Sequence, residues 1–302
     1  MTVTGVATCP SCGAGVAAGD AFCEACGETL VSVPAAPSAG GAGGGAAGSC
    51  ASCGAAAALV QDGYCGECGM KQPVGRDHLE AVPAPHVAAV TDKGRRHHRN
   101  EDAFAVTVLP DGRLAAVVCD GVLSSSAADV ASQAACDVAL PLLADDPAAA
   151  YAAARDAVAA VPYAADSVPP SCTYLAALVD GGGTDLWNLG DCRAYWLPAG
   201  AEAVPLTADD ALPGTHTLTK WLGEDADPEW APAASRFEFP GAGRLLLCSD
   251  GLWNYADRPA AGEGDPLTVA RALVDLANGA GGADNITVVV VDVPAPRGDA
   301  VP

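Results

Sequence analysis

The sequence predicts an α/β protein of the α+β kind: a sandwich of antiparallel β-sheets between helices, preceded by two small four-cysteine segments. Three observations support this fold class. Apolar strands follow one another in hairpins joined by tight turns, which favours antiparallel sheets. Capped helical segments lie between these hairpins and can cover the outer faces of the sheets. Paired Cys-x-x-Cys motifs are confined to the first 68 residues.

Composition limits the possible functions and locations. The chain has 302 residues, a formal net charge of -22 and 13 cysteines. Such an acidic surface argues against nucleic-acid and anionic-membrane partners, because both need a basic face. The N-terminal residues lack signal-peptide features, and no apolar run of about 20 residues is present. We therefore expect a cytoplasmic protein, whose cysteines serve as metal ligands or buried thiols and not in disulfides.

Eight cysteines form two repeats with the spacing of metal knuckles. The ligand sets are Cys9, Cys12, Cys23 and Cys26, and Cys50, Cys53, Cys65 and Cys68. Two Cys-x-x-Cys pairs make the tetrahedral sulfur cage that zinc accepts, and four thiolates leave no open position for catalysis. The alternative, a redox motif, needs a βαβ context that is absent. We predict two structural Zn2+ ions in segments that resemble the paired zinc ribbons of bacterial regulatory proteins, which implies partner binding.

Composition changes divide the chain into six parts. We predict zinc ribbon 1 over residues 1–30, a flexible Gly/Ala/Pro linker over 31–49 and zinc ribbon 2 over 50–73. A second linker over 74–85 leads to the large domain over 86–295 and a tail over 296–302.

Strands of the large domain end or begin at acidic residues. The buried run over 114–119 stops at Asp120-Gly121, and similar runs place Asp191 and Asp250 after strands. Asp284 instead precedes the last strand, predicted over 286–293. Acids at several strand ends can converge on one place.

Helix signals lie between these strands. Ser126 is predicted to cap a helix that ends near Leu143. Asp146 and Asp265, each followed by proline, predict the starts of two more helices, and Gly279 predicts the end of the last one. The five cysteines outside the repeats lie in apolar runs and are predicted to pack in the core.

The one basic cluster of the chain occupies residues 93–99, immediately before Glu101 and Asp102. Alone, such a cluster indicates a solvated face. Several carboxylates are expected to converge beside this basic cluster. Clustered acids repel one another unless they are protonated or bind a metal, so the position of the basic cluster indicates a functional site. Hard oxygen ligands select Mg2+ or Mn2+. Two such ions can generate a bridging hydroxide and clamp a phosphate, whose free oxygens the basic residues would receive.

Six short motifs lie along the large domain: Asn100-Glu101-Asp102, Asp120-Gly121, Ser171-Cys-Thr173, Gly190-Asp191-Cys192-Arg193, Cys248-Ser-Asp250-Gly251 and Asp284-Asn285-Ile-Thr287. In order and spacing they resemble the motifs of bacterial PP2C-type metal-dependent serine/threonine protein phosphatases, over about residues 87 to 293. The resemblance implies the four-layer αββα sandwich of that family.

The same resemblance implies roles for single residues. Asp120 would bridge both metal ions. One ion would also be held by Glu101 and the Gly121 carbonyl, and the other by Asp250 and Asp284. Two further roles concern Asp102, which would orient the attacking water, and Asp191, which is associated with a third, weaker metal.

The chain departs from the family pattern at four places. Val122 stands where eukaryotic relatives place a histidine general acid. His97 stands where relatives carry a phosphate-binding arginine, and His97 or His98, if protonated, or Arg96 or Arg99 could substitute for it. An amide, Asn254, stands where relatives often carry another acid for the third metal. The flap after Asp191 is shortened to about residues 209–221, in which His216 is expected to face solvent; we expect this flap to leave the metals open to bulky phosphoproteins.

The function implied is a protein serine/threonine phosphatase in signal transduction, which hydrolyses phosphomonoesters by attack of a metal-bridging water or hydroxide. Its partners would be phosphorylated Ser/Thr proteins and, through the zinc ribbons, a cognate protein kinase or regulatory protein. The alternative is a catalytically weak, phosphoprotein-binding regulator. The departures at His97 and Asn254 keep this alternative open.

Overall fold

The computed structural model describes residues 75–122 and 124–294, with short pieces at 7–8, 15–16, 60–61, 64–65 and 67. The chain separates into two compact units, Met1–Gln72 and Pro73–Pro302.

The first unit contains two short antiparallel ladders. Ala7–Thr8 pairs with Gly15–Val16, and Val60–Gln61 pairs with Tyr64–Cys65. The predicted zinc ligation itself lies outside the described residues.

In the described part of the second unit, runs of strands are separated by pairs of helices. The strands are β1 (His78–Ala84), β2 (Val87–Asp92), β3 (Ala103–Val108), β4 (Leu114–Cys119), β5 (Ser171–Cys172), β6 (Tyr174–Val179), β7 (Gly183–Leu189), β8 (Arg193–Pro198), β9 (Val204–Pro205), β10 (Leu222–Gly223), β11 (Ala233–Glu238), β12 (Gly243–Cys248) and β13 (Ile286–Val293). The helices are α1 (Ala128–Leu143), α2 (Pro147–Ala159), α3 (Asp250–Trp253) and α4 (Pro266–Ala280).

Eleven of these strands form two antiparallel sheets, and β5 pairs separately with β10. The five-stranded sheet has the order β11-β7-β6-β4-β3, and the six-stranded sheet has the order β9-β8-β12-β13-β2-β1. The predicted hairpins, β3 with β4 and β6 with β7, are confirmed by their registers.

Three hydrophobic clusters define four layers. Helices α1 and α2 cover the five-stranded sheet through residues such as Ala135 and Val117. Helix α4 covers the six-stranded sheet, and a third cluster lies between the sheets. Because β4 is packed on both faces, its residues are apolar without alternation, as its sequence indicates. The αββα order of layers matches the expectation from the family resemblance.

Two helix boundaries differ from the sequence prediction. Ser126 does not cap α1: its hydroxyl donates to the Val168 carbonyl at 2.7 Å, and the N-cap residue is Ala127, with φ 49° and no side-chain cap. Helix α4 continues past Gly279 and ends at Gly281, whose φ of 143° suits glycine. The caps Asp146 and Asp265 are confirmed, since both accept backbone N–H groups of the following turn.

The stretch predicted as a linker over 74–85 contains regular structure, which corrects that boundary. Residues Gly75–Asp77 form a short 3-10 helix, and β1 pairs with β2 at the edge of the six-stranded sheet. The register of β1 shifts between Ala81 and Ala84, on either side of Pro83. A proline is tolerated at such an irregular edge strand, because it removes no ladder bond that the sheet needs.

The five cysteines outside the repeats are buried and free, as predicted. No helix within the described ranges is long and apolar enough to span a membrane.

Candidate active site

The predicted acids lie at one end of the sandwich. Asp102 precedes β3 and Asp120 follows β4; the two strands are paired so that Ala103 faces Cys119. Asp250 follows β12 and Asp284 precedes β13, which are also antiparallel neighbours. In each antiparallel pair the start of one strand meets the end of the other, so each sheet brings two acids to the same edge.

The backbone at Asp120 is fixed by hydrogen bonds and close packing. Its N–H donates to Thr173 Oγ1 at 2.9 Å, and the Thr173 N–H donates back to its carbonyl at 2.8 Å. At Gly121 an added Cβ would lie 2.7 Å from the Glu101 carbonyl oxygen and 2.9 Å from Ala128. Only glycine permits this approach, which brings the two acid-bearing segments together.

Asp102 is the most deeply buried of these acids, with 1% of its surface exposed. The Ser249 hydroxyl donates to its Oδ2 at 2.7 Å, whereas its Oδ1 has no hydrogen-bond partner within the described residues. Burial raises the pKa of Asp102 to about 7, although the bond from Ser249 opposes the shift. A buried oxygen without a protein partner is uncommon, and this one is available to a ligand such as a water or an ion.

Burial and neighbouring charges raise the pKa values of Asp250 and Asp120. Burial, followed by the charge of Asp284, raises the pKa of Asp250 to about 6, although hydrogen bonds from Asp120 and Asn254 oppose the shift. Burial, followed by the charges of Asp102 and Asp250, raises the pKa of Asp120 well above its usual value. The acids repel one another at neutral pH unless protons or cations intervene.

Asp191 lies where the chain crosses from β7 in one sheet to β8 in the other. Burial, with the charges of Asp250 and Asp209, raises its pKa to about 7. Its carbonyl accepts the indole N–H of Trp253 at 2.9 Å. Asp191 therefore interacts electrostatically with the acid cluster.

Glu101 and Asp284 form the half-buried rim of the cluster. Burial raises the pKa of Glu101, while His97 and Arg99 oppose the shift. His97 Nε2 lies 3.2 Å from Asp284 Oδ1, so this histidine faces the acids. The exposed Arg96 makes no ion pair within the described part of the chain, and Arg99 lies 3.3 Å from Asp129.

Asn285 holds the basic segment against the acids. Its amide donates to the carbonyls of Lys93 at 2.8 Å and Arg99 at 3.0 Å. Its Oδ1 accepts the Glu101 N–H at 2.7 Å. The Asn285 side chain therefore links the backbone of Lys93, Arg99 and Glu101 beside the acid cluster.

The flap over residues 209–221 is a hairpin in which the Leu212 N–H donates to the Thr217 carbonyl and the Thr219 N–H donates to the Asp210 carbonyl. Asp210 anchors it: its N–H donates to the Gly190 carbonyl at 2.8 Å, and its carboxylate pairs with Lys220 at 2.7 Å. His216 is exposed, as predicted, and its ring also stacks on Trp253 with centroids 5.6 Å apart. Burial and Asp284 raise the pKa of Asp250, whereas His216 acts to lower it, so the flap contributes to the electrostatics of the site.

The donor set suits hard divalent cations. A cation would offer a partner to the unpaired Asp102 oxygen and would reduce the repulsion among the charges that helps to raise the pKa of Asp120. Between residues 75 and 294, apart from Leu123, no three His, Cys, Asp or Glu side chains form a ready cage around one ion. Mg2+ is commonly held by one or two carboxylates and several waters, so paired carboxylates are a suitable donor set.

Several residues of the site escape sequence reasoning. Ser249 and Asn285 stand inside the predicted motifs, but their hydrogen bonds to Asp102 and to the Glu101 N–H depend on contacts distant in sequence. Trp253 carries the Arg193 guanidinium 3.7 Å from its ring centroid, a contact without a sequence signal. Arg76 lies 26 positions before Asp102 and still binds its carbonyl.

Comparisons with known proteins agree with this geometry. The profile of the protein phosphatase 2C family matches residues 91–272. The serine/threonine protein phosphatase PstP of Mycobacterium tuberculosis (strain ATCC 25618 / H37Rv) is 31% identical over 236 residues, which cover 68% of this chain and 44% of PstP. This chain thus spans less than half the length of that relative.

Two further comparisons cover nearly whole domains. The serine/threonine phosphatase stp of Listeria welshimeri is 28% identical over 68% of this chain and 95% of its own length. A crystal structure of the catalytic domain of PstP in complex with two manganese ions is 28% identical, with a TM-score of 0.54 over 69% of this chain and 97% of that domain. With the family profile covering more than half of its residues, this chain belongs to the protein phosphatase 2C family.

Proposed function

We propose that this protein is a metal-dependent serine/threonine protein phosphatase that hydrolyses phosphomonoesters on phosphorylated proteins. The single observation that carries the proposal is the acid cluster at one end of the sandwich, in which burial and neighbouring carboxylates raise the pKa values of Asp102, Asp120, Asp191 and Asp250. Repulsion within such a cluster destabilises the fold unless cations offset it, so the cluster is best explained as a site that binds divalent metal ions.

The metal-holding roles proposed here are those that the family resemblance implies. Asp120 would serve two Mn2+ or Mg2+ ions, with Glu101 and the Gly121 carbonyl on one side and Asp250 and Asp284 on the other. The manganese-bound PstP domain supports this choice of ion. A third, weaker ion would lie by Asp191, where Asn254 offers an amide and not a carboxylate.

When bound, such ions polarise the phosphoryl oxygens and supply hydroxide near neutral pH. The remaining work falls to side chains of this chain. Asp102, oriented by Ser249, would accept a hydrogen bond from the attacking water and hold it in line with the phosphorus. His97 and Arg96, from the basic segment, would receive the free phosphate oxygens.

The proposal is tested with an aryl phosphate and with phosphoserine and phosphothreonine peptides. We expect hydrolysis that requires added Mn2+ or Mg2+ and is abolished by chelator and by Asp120→Asn. Asp156→Asn, which alters an exposed acid on α2, is the matched control and should keep full activity. Activity that persists in chelator or in Asp120→Asn would refute the two-metal proposal.

A second candidate is a phosphoprotein-binding regulator with weak hydrolysis. One observation favours it: His97, at the position of the family arginine, lies 3.2 Å from Asp284 and so is directed toward the acids. A wild-type protein that binds phosphopeptides but hydrolyses none with any divalent metal would support this candidate over the first.

The two cysteine repeats are proposed to hold one structural Zn2+ each and to recruit a partner, such as a cognate kinase or a regulatory protein. Their Cys-x-x-Cys spacing and all-thiolate donor sets support this role. Purified protein should carry about two zinc ions per chain, and substitution of Cys9 and Cys50 should release them. Zinc content unchanged by both substitutions would contradict the assignment.

A further inference from the structure

The segment before the family-matched residues contacts the acid-bearing loop directly. This segment, which we call the arm, consists of residues 75–84: the 3-10 turn Gly75–Asp77 and strand β1. The family profile begins at residue 91, after the end of the arm.

Arg76 makes four hydrogen bonds from the arm into the site. Its Nε donates to the Asn100 carbonyl at 3.1 Å, and its Nη2 donates to the Asp102 carbonyl at 2.8 Å. The other two reach helix α1: Nη2 to Ser132 Oγ at 3.0 Å and Nη1 to Gln133 Oε1 at 3.0 Å. The planar guanidinium therefore joins the acid-bearing loop to α1.

The contact is reciprocal and extends to Glu101. The Asn100 amide donates to the Arg76 carbonyl at 3.1 Å, and the Ser132 hydroxyl donates to the Glu101 carbonyl. Residues 100–102 lie between strands and have no ladder of their own. Their three carbonyls are consequently fixed by Arg76 and Ser132, which determines where the Glu101 and Asp102 side chains begin.

We propose that Arg76 is a positioning residue of the active site and that the arm is a working part of the phosphatase centre. Arg76 holds Glu101 and Asp102 in the geometry that binds the divalent metal. The inference rests on the proposed function only in assuming that these acids bind a metal. It concerns a residue that lies before the part of the chain matched by the family profile.

The test compares Mn2+ binding by the full-length Arg76→Ala and Arg76→Lys variants with binding by the wild type, using calorimetry. Residues that orient metal ligands typically contribute about 10–100-fold to metal affinity. We expect a loss of this size for Arg76→Ala and a smaller loss for Arg76→Lys, because a single ammonium cannot span four acceptors. Hydrogen exchange at the Glu101 and Asp102 amides of the metal-free protein should be faster in both variants.

Arg271→Ala is the matched control. Arg271 binds both carboxylate oxygens of Glu80, at 2.7 and 2.6 Å, and so anchors the same arm to α4 without touching residues 100–102. We expect its Mn2+ affinity to equal that of the wild type. An equal loss in Arg271→Ala would overturn the proposal, because general loosening of the arm would then explain the effect.

Wild-type Mn2+ affinity in both Arg76 variants would also overturn it, as would failure of the conservative Arg76→Lys variant to fold. The outcome is separable from that of the proposed function. Arg76-dependent Mn2+ binding by a wild type that hydrolyses no phosphopeptide would support the positioning role and refute the phosphatase. An active enzyme whose Arg76 variants bind Mn2+ normally would refute the positioning role alone.

Discussion

The Ser249 hydroxyl donates a 2.7 Å hydrogen bond to Asp102 Oδ2 across the gap between the two sheets. The same hydroxyl accepts the Thr287 N–H at 2.9 Å, so its orientation is fixed and its proton points toward Asp102. Since this bond favours the charged carboxylate, Ser249 keeps Asp102 more acidic than burial alone would allow.

We predict that Ser249→Ala raises the pKa of Asp102 and shifts the acidic limb of the pH–rate profile to higher pH. The turnover number should fall about tenfold at neutral pH, because loss of a charge-assisted hydrogen bond costs ~1.5 kcal/mol or more. Steady-state kinetics from about pH 5 to 9 measures both effects. Thr184→Val removes another fully buried hydroxyl, in β7, and should leave the profile unchanged; a similar shift there would contradict the specific role of Ser249.

The acid cluster should make the metal-free protein less stable as pH rises. The folded-state pKa values of Asp250 and Asp102, about 6 and about 7, exceed the ordinary aspartate value of about 3.9. The folded state therefore holds more protons than the unfolded state between about pH 4 and 7, and stability falls through that window. We expect a lower melting temperature at about pH 8 than at about pH 5.5 in chelator, and a larger stabilisation by Mn2+ at the higher pH.

Asp120→Asn isolates this effect from other titrations. Removing one carboxylate should raise the melting temperature of the metal-free protein at about pH 8, by about 2–4 °C for each kcal/mol of repulsion relieved. The gain should shrink at about pH 5.5, and the stabilisation by Mn2+ should decrease. A variant that is equally destabilised at both pH values would argue against electrostatic repulsion in the cluster.

His97→Arg should strengthen phosphate binding. A guanidinium at this position can hold two phosphate oxygens, whereas the imidazole of His97 lies against Asp284. We expect KM for an aryl phosphate to fall several-fold, with a smaller change in kcat. His98→Arg adds the same charge at the next position and should not lower KM; an equal effect in both variants would point to general electrostatic attraction.

The two predicted helix caps should respond differently to alanine. Asp146→Ala removes the bonds to the N–H groups of Ala148 and Ala149 and should cost about 1 kcal/mol of unfolding free energy. Ser126→Ala should cost less than about 0.5 kcal/mol, since Ser126 caps no helix and bonds only at the surface. Urea unfolding of both variants distinguishes the two positions, and a full cap-sized loss for Ser126→Ala would contradict the observed boundary.

Much of the fold could be predicted from the sequence because its signals are local. The strand Ile286–Val293 and the proline-marked start of α2 depend on apolar runs and caps that are readable within a few residues. Strand β1 lies in a stretch that the sequence assigns to a linker, because its burial is weak and its pairing is supplied by β2. The sequence of an edge strand carries little of the pattern that specifies a central one.

In the site, too, local signals could be predicted from the sequence and contacts between distant residues could not. Acids such as Asp120 and Asp250 could be predicted because each places a charge at the end of an apolar strand. The residues that hold them could not, because Arg76, Ser249 and Asn285 act through backbone groups or carboxylates distant in the chain. Their contacts depend on how strands are ordered in the sheets, which no local spacing encodes.

The acids reach the site from both sheets: Asp102 and Asp120 from one, Asp250 and Asp284 from the other. The acid cluster is therefore built from residues of both sheets. Small residues such as Ala116 and Ala177 allow the two sheets to pack closely in the inter-sheet cluster. A shift of one sheet relative to the other would change the distances between the acids, so the geometry of the site depends on the packing between the sheets.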